Sequence, residues 1–268
     1  MSASINFNGV DMSAGGYGVS ILYGSQLPPV PKPHIDLQPI PFGGGVTQGR
    51  YYEPLVFSVD VVIAAASPDA LQANLCRIAA EFNVTADKEL WFSDTPYDDR
   101  YWLGRRSGVS GPTDPGLASQ EYVWEFVAAD PVAQSRTLTT QNVGPVGSPE
   151  NFNMPAAGVV AGSDTATPIY TLTGTGANAG PISIENTTRT ETLTYTGSLN
   201  NTHLLKIDSD QFTITKSTDA GVTWTDVTAN LTAFGYPRLT HGVANAFVLT
   251  GATNTTLAIT YRSRLLGG

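Results

Sequence analysis

The sequence predicts two domains of different class. The first is an α+β domain, an antiparallel, barrel-like β-sandwich sheet carrying one helix, and the second is an all-β sandwich of the jelly-roll kind. Three observations predict this. Leu55 to Ile63 alternates with period two and is followed by one capped amphipathic helical pattern. Seven short apolar runs beyond residue 155 are separated by turn residues with no helical period. The composition shifts near residue 150, from a half with most of the bulky apolar residues to one rich in Thr, Gly and Asn. The expected boundaries are 1–142 for the first domain, 143–155 for a Gly- and Pro-containing linker, and 156–268 for the second.

In chain order, Ile5 to Phe7 reads as a strand running into an Asn8-Gly9 turn, and Tyr17 to Leu22 as a second alternating strand. Residues 24–50 form a long arm with Pro28, Pro29, Pro31, Pro33, Pro39 and Pro41, then Gly43-Gly44-Gly45. Proline removes backbone donors, so this arm is neither helix nor central strand. Its apolar residues argue for docking on a neighbouring subunit, with Pro28, Pro31, Ile35, Leu37, Ile40 and Phe42 as candidate contacts. In the next strand Leu55, Phe57, Val59, Val61 and Ile63 share one face. Ser67 caps the helix, Pro68 fits its first position, and Leu71, Leu75, Ile78 and Phe82 make its apolar stripe. Cys76 within it reads as a small packed side chain. Leu90 to Phe92, Tyr101 to Arg105 and Tyr122 to Val127 complete the sheet, with a loop between Leu103 and Ala118. The second domain's strands are expected at 169–172, 182–185, 190–195, 204–207, 212–215, 246–249 and 257–261.

Charge narrows the function. A net charge of -9 over 268 residues, with Lys and Arg scattered, does not suit a phosphate-neutralising surface. The single cysteine excludes an internal disulfide. No basic apolar leader is visible at the start of the sequence, and no run approaches the roughly 18 apolar residues of a membrane span. No catalytic, metal or cofactor site is expected. His34, His203 and His241 lie in separate segments without ligand spacing, and Asp208-Ser209-Asp210 and Asp98-Asp99 read as turn caps in preference to calcium ligands.

The sharpest local motif is Ser217-Thr218-Asp219-Ala220-Gly221-Val222-Thr223-Trp224. It resembles the Asp-box of sialidases, Ser-x-Asp-x-Gly-x-Thr-Trp. That resemblance implies a hairpin staple built by Ser217, Asp219, Gly221 and Thr223, with Trp224 plugged between strands. It does not carry the activity across, because one copy stands where a sialidase has several and no arginine cluster accompanies it. A glycosidase would need facing carboxylates, for which Asp164, Glu185, Glu191, Asp208, Asp210, Asp219 and Asp226 are available in the second half. Trp224, Tyr236, Tyr195 and Tyr170 read as core aromatics in preference to a sugar platform.

The first domain, over residues 5–133, resembles the distal tail protein of long-tailed phages and the wider phage tail family. The resemblance rests on Phe7-Asn8-Gly9-Val10-Asp11, Tyr17-Gly18-Val19, the arm ending Ile40-Pro41-Phe42-Gly43-Gly44, and Tyr51-Tyr52-Glu53-Pro54. The helix, Leu90-Trp91-Phe92-Ser93-Asp94, and Phe126-Val127-Ala128-Ala129-Asp130-Pro131 continue it, making Gly9, Asp94, Asp130 and Pro131 the family-pattern positions. Glycines replace the Arg-Asp-Gly-like turn that often follows the arm in that family.

The resemblance implies a tail-tube-like first domain and a galectin-like or carbohydrate-module-like second one. It implies a non-enzymatic virion protein of the tail tip or baseplate, assembled in the host cytoplasm. There a homo-hexameric ring joins the tail tube protein to the tail-tip hub (tail-associated) protein, and DNA passes the lumen without specific binding. The outward sandwich would meet a receptor-binding protein or a cell-surface glycan in host attachment. The competing readings are a glycan-binding tail protein acting through the second domain, a sialidase-like glycosidase, and the tail tube protein itself.

Overall fold

A computed structural model of the chain describes residues 3–14, 16–22, 28–31, 33–39, 45–112, 118–144 and 147–266. They form two compact units, 1–136 with 265–268, and 137–264. All the strand ladders described are antiparallel.

In the first unit, β1 (Ser4–Phe7) turns at Asn8-Gly9 into β2 (Val10–Asp11). Both turn residues have positive φ, 51° and 79°, the conformation an Asn-Gly hairpin turn requires. β3 (Val19–Ile21) follows, then β4 (Pro33–Pro39), β5 (Gly45–Tyr52) and β6 (Leu55–Ala64). After α1 (Pro68–Phe82) come β7 (Lys88–Ser93), β8 (Arg100–Ser110), β9 (Ser119–Ala128) and β10 (Ala133–Val143). Pairing runs β2-β1-β7-β8-β9-β6-β3. Its two ends meet, because Val19 N donates to Met12 O at 3.0 Å and Ile21 N to Ala3 O at 3.1 Å. A sheet that closes this way leaves few unpaired edges.

β6 buries Leu55, Phe57, Val59, Val61 and Ile63, as its alternation requires. Ser67 caps α1 by accepting from Ala70 N at 3.2 Å, and Leu71, Ile78 and Phe82 are buried. Phe82 is the helix's plug, with its ring 4.7 Å from Phe7, 5.0 Å from Trp124 and 5.9 Å from Phe126. Each such ring withdrawn from water stabilises the unit by roughly 1.5–3 kcal/mol. Cys76, expected to pack, is exposed instead. It lies two residues from both Asn74 and Ile78, so it cannot share the face that they bury.

Three expectations need correction. The arm, expected to be neither helix nor central strand and assigned no strand of its own, contains β4 and β5, which form a two-stranded hairpin from Pro33↔Tyr52 to Pro39↔Gly45, with an irregularity at Asp36/Leu37. The expected loop after Leu103 begins later, because β8 continues to Ser110 by pairing Arg105–Ser110 with β9. The stretch 143–155, expected as a linker, contains β11 (Glu150–Met154), which pairs with a later strand and buries Met154. β10 and β11 are mostly solvent-facing, so hydrophobic period does not betray them.

The second unit continues with β12 (Ile169–Gly174), β13 (Ile182–Asn186), β14 (Glu191–Tyr195), β15 (Leu204–Asp208) and β16 (Thr213–Ser217). β17 (Thr225–Asp226), β18 (Leu231–Phe234), β19 (Asn245–Thr250) and β20 (Thr255–Leu265) complete it. One sheet has the order β17-β16-β15-β12-β20, the other β11-β19-β13-β14-β18. Tyr170, Leu172, Leu205 and Ile207 of the first sheet share one buried cluster with Ile184, Leu193, Tyr195, Phe247 and Leu249 of the second.

Candidate assembly and ligand surfaces

The arm is inserted between two strands that pair with each other, since Val19↔Ile63 and Ile21↔Val61 join β3 to β6. Its hairpin therefore leaves and re-enters at the same end of the sheet. Among the described residues β4 and β5 pair with each other alone. Pro28 and Pro31 are buried, whereas Val30 between them is 53% exposed. Pro29, Val30 and Pro31 face Glu53, Pro54, Leu55 and Val56 across a shallow groove of about 220 Å³. Ile35 lies opposite Arg50 and Leu37 opposite Thr47 in the hairpin; Ile40 and Phe42 lie outside the described residues.

The four family-pattern positions occupy three separate turns. Gly9 sits in the β1–β2 turn, where its φ of 79° suits glycine. Asp94 has a φ of 54° in the turn after β7. Asp130 follows β9 and accepts from Val132 N at 3.1 Å, a local turn closure beside the buried Pro131. They punctuate the sheet, and no common site gathers them.

The Asp-box residues converge on one turn. Ser217, fully buried, accepts from Gly221 N at 2.8 Å and donates to Asp219 Oδ1 at 2.7 Å. Thr223 gives Asp219 its N–H at 2.9 Å and its hydroxyl at 2.6 Å. Those donors, the Thr223 hydroxyl first, hold the Asp219 carboxyl down at about 2. Gly221 supplies a φ of 95°. Trp224 departs from the expected plug: it is 41% exposed and its Nε1 donates to Gly221 O at 3.1 Å, closing over its own turn.

The remaining candidates are dispersed. His203 Nδ1 accepts from Asn200 N at 3.3 Å, and no group of three or more His, Cys, Asp or Glu is placed to hold a metal ion among the described residues. No described helix is long and apolar enough to cross a membrane. Asp208 Oδ1 caps Asp210 N and Gln211 N, each at 3.0 Å. Glu191 is bracketed by Arg238 Nη2 at 2.5 Å and Arg189 Nε at 3.0 Å. Burial would raise its pKa, but the Arg238 side chain and backbone and Arg189 outweigh that and hold it low.

Phe212 was expected only as the start of a strand. It precedes β16 with a φ of 52°, a left-handed conformation that costs a non-glycine residue about 1–2 kcal/mol. Its ring is nevertheless 60% exposed and meets Tyr236 edge-on, centroids 5.4 Å apart. Sequence carries no sign of this, because a left-handed phenylalanine looks like any strand-flanking aromatic.

No protein-family model and no curated protein matches the sequence. Solved structures do match. The crystal structure of SPP1 Dit (gp 19.1), a paradigm of the hub adsorption apparatus in phages infecting Gram-positive bacteria, superposes with a TM-score of 0.74 at 13% identity, over 98% of this chain and 99% of that one. A chain of the phage P2 baseplate in its activated conformation with Ca gives 0.53 at 10% identity, over 97% of both chains. The corresponding baseplate structure with Sr gives 0.52 at 10% identity, again over 97% of both. At these identities what is shared is the fold, and this chain has the fold of phage Dit and baseplate proteins.

Proposed function

We propose that the protein is a structural component of a phage tail tip. It forms a homo-hexameric ring that joins the tail tube to the tail-tip hub, with the tail-tube-like first unit in the ring and the second, a galectin-like jelly-roll, outward. The observation that carries this reading is the end-to-end match to SPP1 Dit, covering 98% of this chain and therefore both units. The arm supports it physically. A two-stranded hairpin is marginally stable alone in water, so β4–β5 needs a surface, and a neighbouring subunit in a closed ring offers the same surface to every copy. The net charge of -9 suits a lumen that lets DNA pass without holding it. The Asp-box turn serves here as a fold staple.

Light scattering coupled to size exclusion, with negative-stain images of the same peak, tests the reading. Six chains of 28.3 kDa give a ring of about 170 kDa with a central hole and peripheral lobes. A monomer at high concentration that neither a tail-tube nor a tip-hub partner converts into a ring would overturn it.

A further inference from the structure

We propose that the open edge of β8 over residues 105–110 is a docking site for an extended, acidic segment of a partner polypeptide, which pairs with the edge as an added strand and meets Arg106 with a carboxylate. The site belongs to the first unit alone and does not rest on ring formation.

β7 pairs with β8 as far as Lys88↔Gly104, and from Arg105 to Ser110 the strand is paired with β9 alone among the described residues. In an antiparallel ladder alternate N–H and C=O groups point away from the partner strand, so this run presents an open edge. Residues opposite one another in a ladder share a face. Arg106, opposite the buried Phe126, and Val109, opposite the buried Trp124, therefore both lie on the core-facing side, brought into step by the irregularity between Arg106 and Gly108. The core stops short of them, for Val109 is 55% exposed. The Arg106 guanidinium lies 4.6 Å over the Phe82 ring, and burial pushes its pKa down. No carboxylate answers it: among the described residues Arg106 has neither ion pair nor hydrogen bond, whereas Arg105 beside it has Asp87 at 3.7 Å.

These features choose the occupant. Unpaired backbone groups at the strand repeat are matched by another extended chain. An apolar strand added here would seal the half-desolvated Arg106 away without a counter-charge, which is costly, whereas an acidic strand supplies the missing carboxylate. The edge thus deters indiscriminate pairing and admits one kind of partner. Val109 adds a demand for an apolar side chain on the same face as the acidic one. Two copies of this chain paired through the edge would not satisfy Arg106, since residues 105–110 contain no acid. A nucleic acid would answer the charge but not the strand edge, and the net charge of -9 opposes it.

The test uses the full chain and end-capped peptides Thr-Val-Thr-X-Thr-Val-Thr, in which X is glutamate, glutamine or lysine and shares a face with both valines. Binding is read by fluorescence anisotropy and by amide hydrogen exchange. The glutamate peptide should bind saturably and slow exchange within 105–110, with the other two at least about tenfold weaker. Arg106→Met, which keeps an apolar stem against Phe82, should weaken the glutamate peptide about tenfold. Arg106→Glu should turn the preference towards the lysine peptide; a merely structural Arg106 would move the melting temperature and leave the preference alone. A glutamate peptide N-methylated at alternate residues should not bind. Absence of saturable binding by the unmethylated glutamate peptide, equal binding of all three peptides, or a preference that Arg106→Glu leaves unchanged overturns the proposal. So does slow exchange at 105–110 in a hexamer without peptide, because a neighbouring copy then holds the edge. Ring formation, measured by light scattering, is a separate readout, and a monomer that binds the peptide would sink the ring reading alone.

Discussion

At the scale of single residues, the Asp-box turn shows how one carboxylate organises eight residues. Asp219 accepts from Ser217 and twice from Thr223, and its carboxyl is held at about 2 against an ordinary 3.8. The folded pKa is the lower one, so the contribution is fully present above pH about 4 and fades as pH falls from there towards 2. The melting-temperature advantage of the unaltered chain over Asp219→Asn should therefore be constant above pH about 5 and shrink steadily below 4. A difference that persists undiminished at pH 2 would assign the effect to shape instead of charge. The Ser, Asp, Gly and Thr of this turn were legible in the sequence because each fills a fixed backbone role. Trp224 was less so: its type fits either a plug or an exposed cover, and only the turn's placement at the end of β16 decides between them. Phe212 was illegible for a related reason, since its meaning lies in a backbone angle and in Tyr236, twenty-four positions away.

At the scale of elements, those with one buried face and one wet face could be read before the structure was known. β6 and α1 announce themselves by alternation and by the Ser67-Pro68-Asp69 start, and Gly18, at φ 65°, fits where a side chain would collide with the carbonyl oxygen of Ala64. Among the elements missed, β10, β11 and the end of β8 carry their hydrogen bonds with few buried side chains, so their pairing is dictated by neighbours and not by their own pattern. The β4–β5 hairpin is an intermediate case, because the prolines sit at its ends, at positions 33 and 39, where a ladder tolerates a missing donor. The ring contact proposed for it is separable from the fold. Pro31 and Glu53 line the same groove, so a short Gly-Ser segment can replace residues 33–52 without stretching the sheet. This variant should keep a cooperative melt within a few degrees of the original and lose the ring; a hexamer retained after replacement would remove the hairpin from the interface.

At the scale of the whole molecule, composition suggests a cut near residue 150, but the contacts divide the chain elsewhere. The second unit spans 137–264, and the first takes back 265–268, with Leu265 packed against the first unit's core. A second unit inserted in this way begins inside β10, a strand that shows no change of composition at Thr137. A fragment of residues 156–268 omits β11, and with it the buried Met154 and the Phe152 ring stacked 5.3 Å from Phe247. Loss of one fully buried methionine alone costs about 2–5 kcal/mol when its space is not refilled, a large share of a domain's usual stability. The fragment 137–264 should therefore unfold in one sharp calorimetric transition, whereas 156–268 should melt at least 10 °C lower or bind hydrophobic dye as a loosened state. Equal stability of the two fragments would place the boundary after β11, and the strand would then be a dispensable edge attached to a complete sandwich.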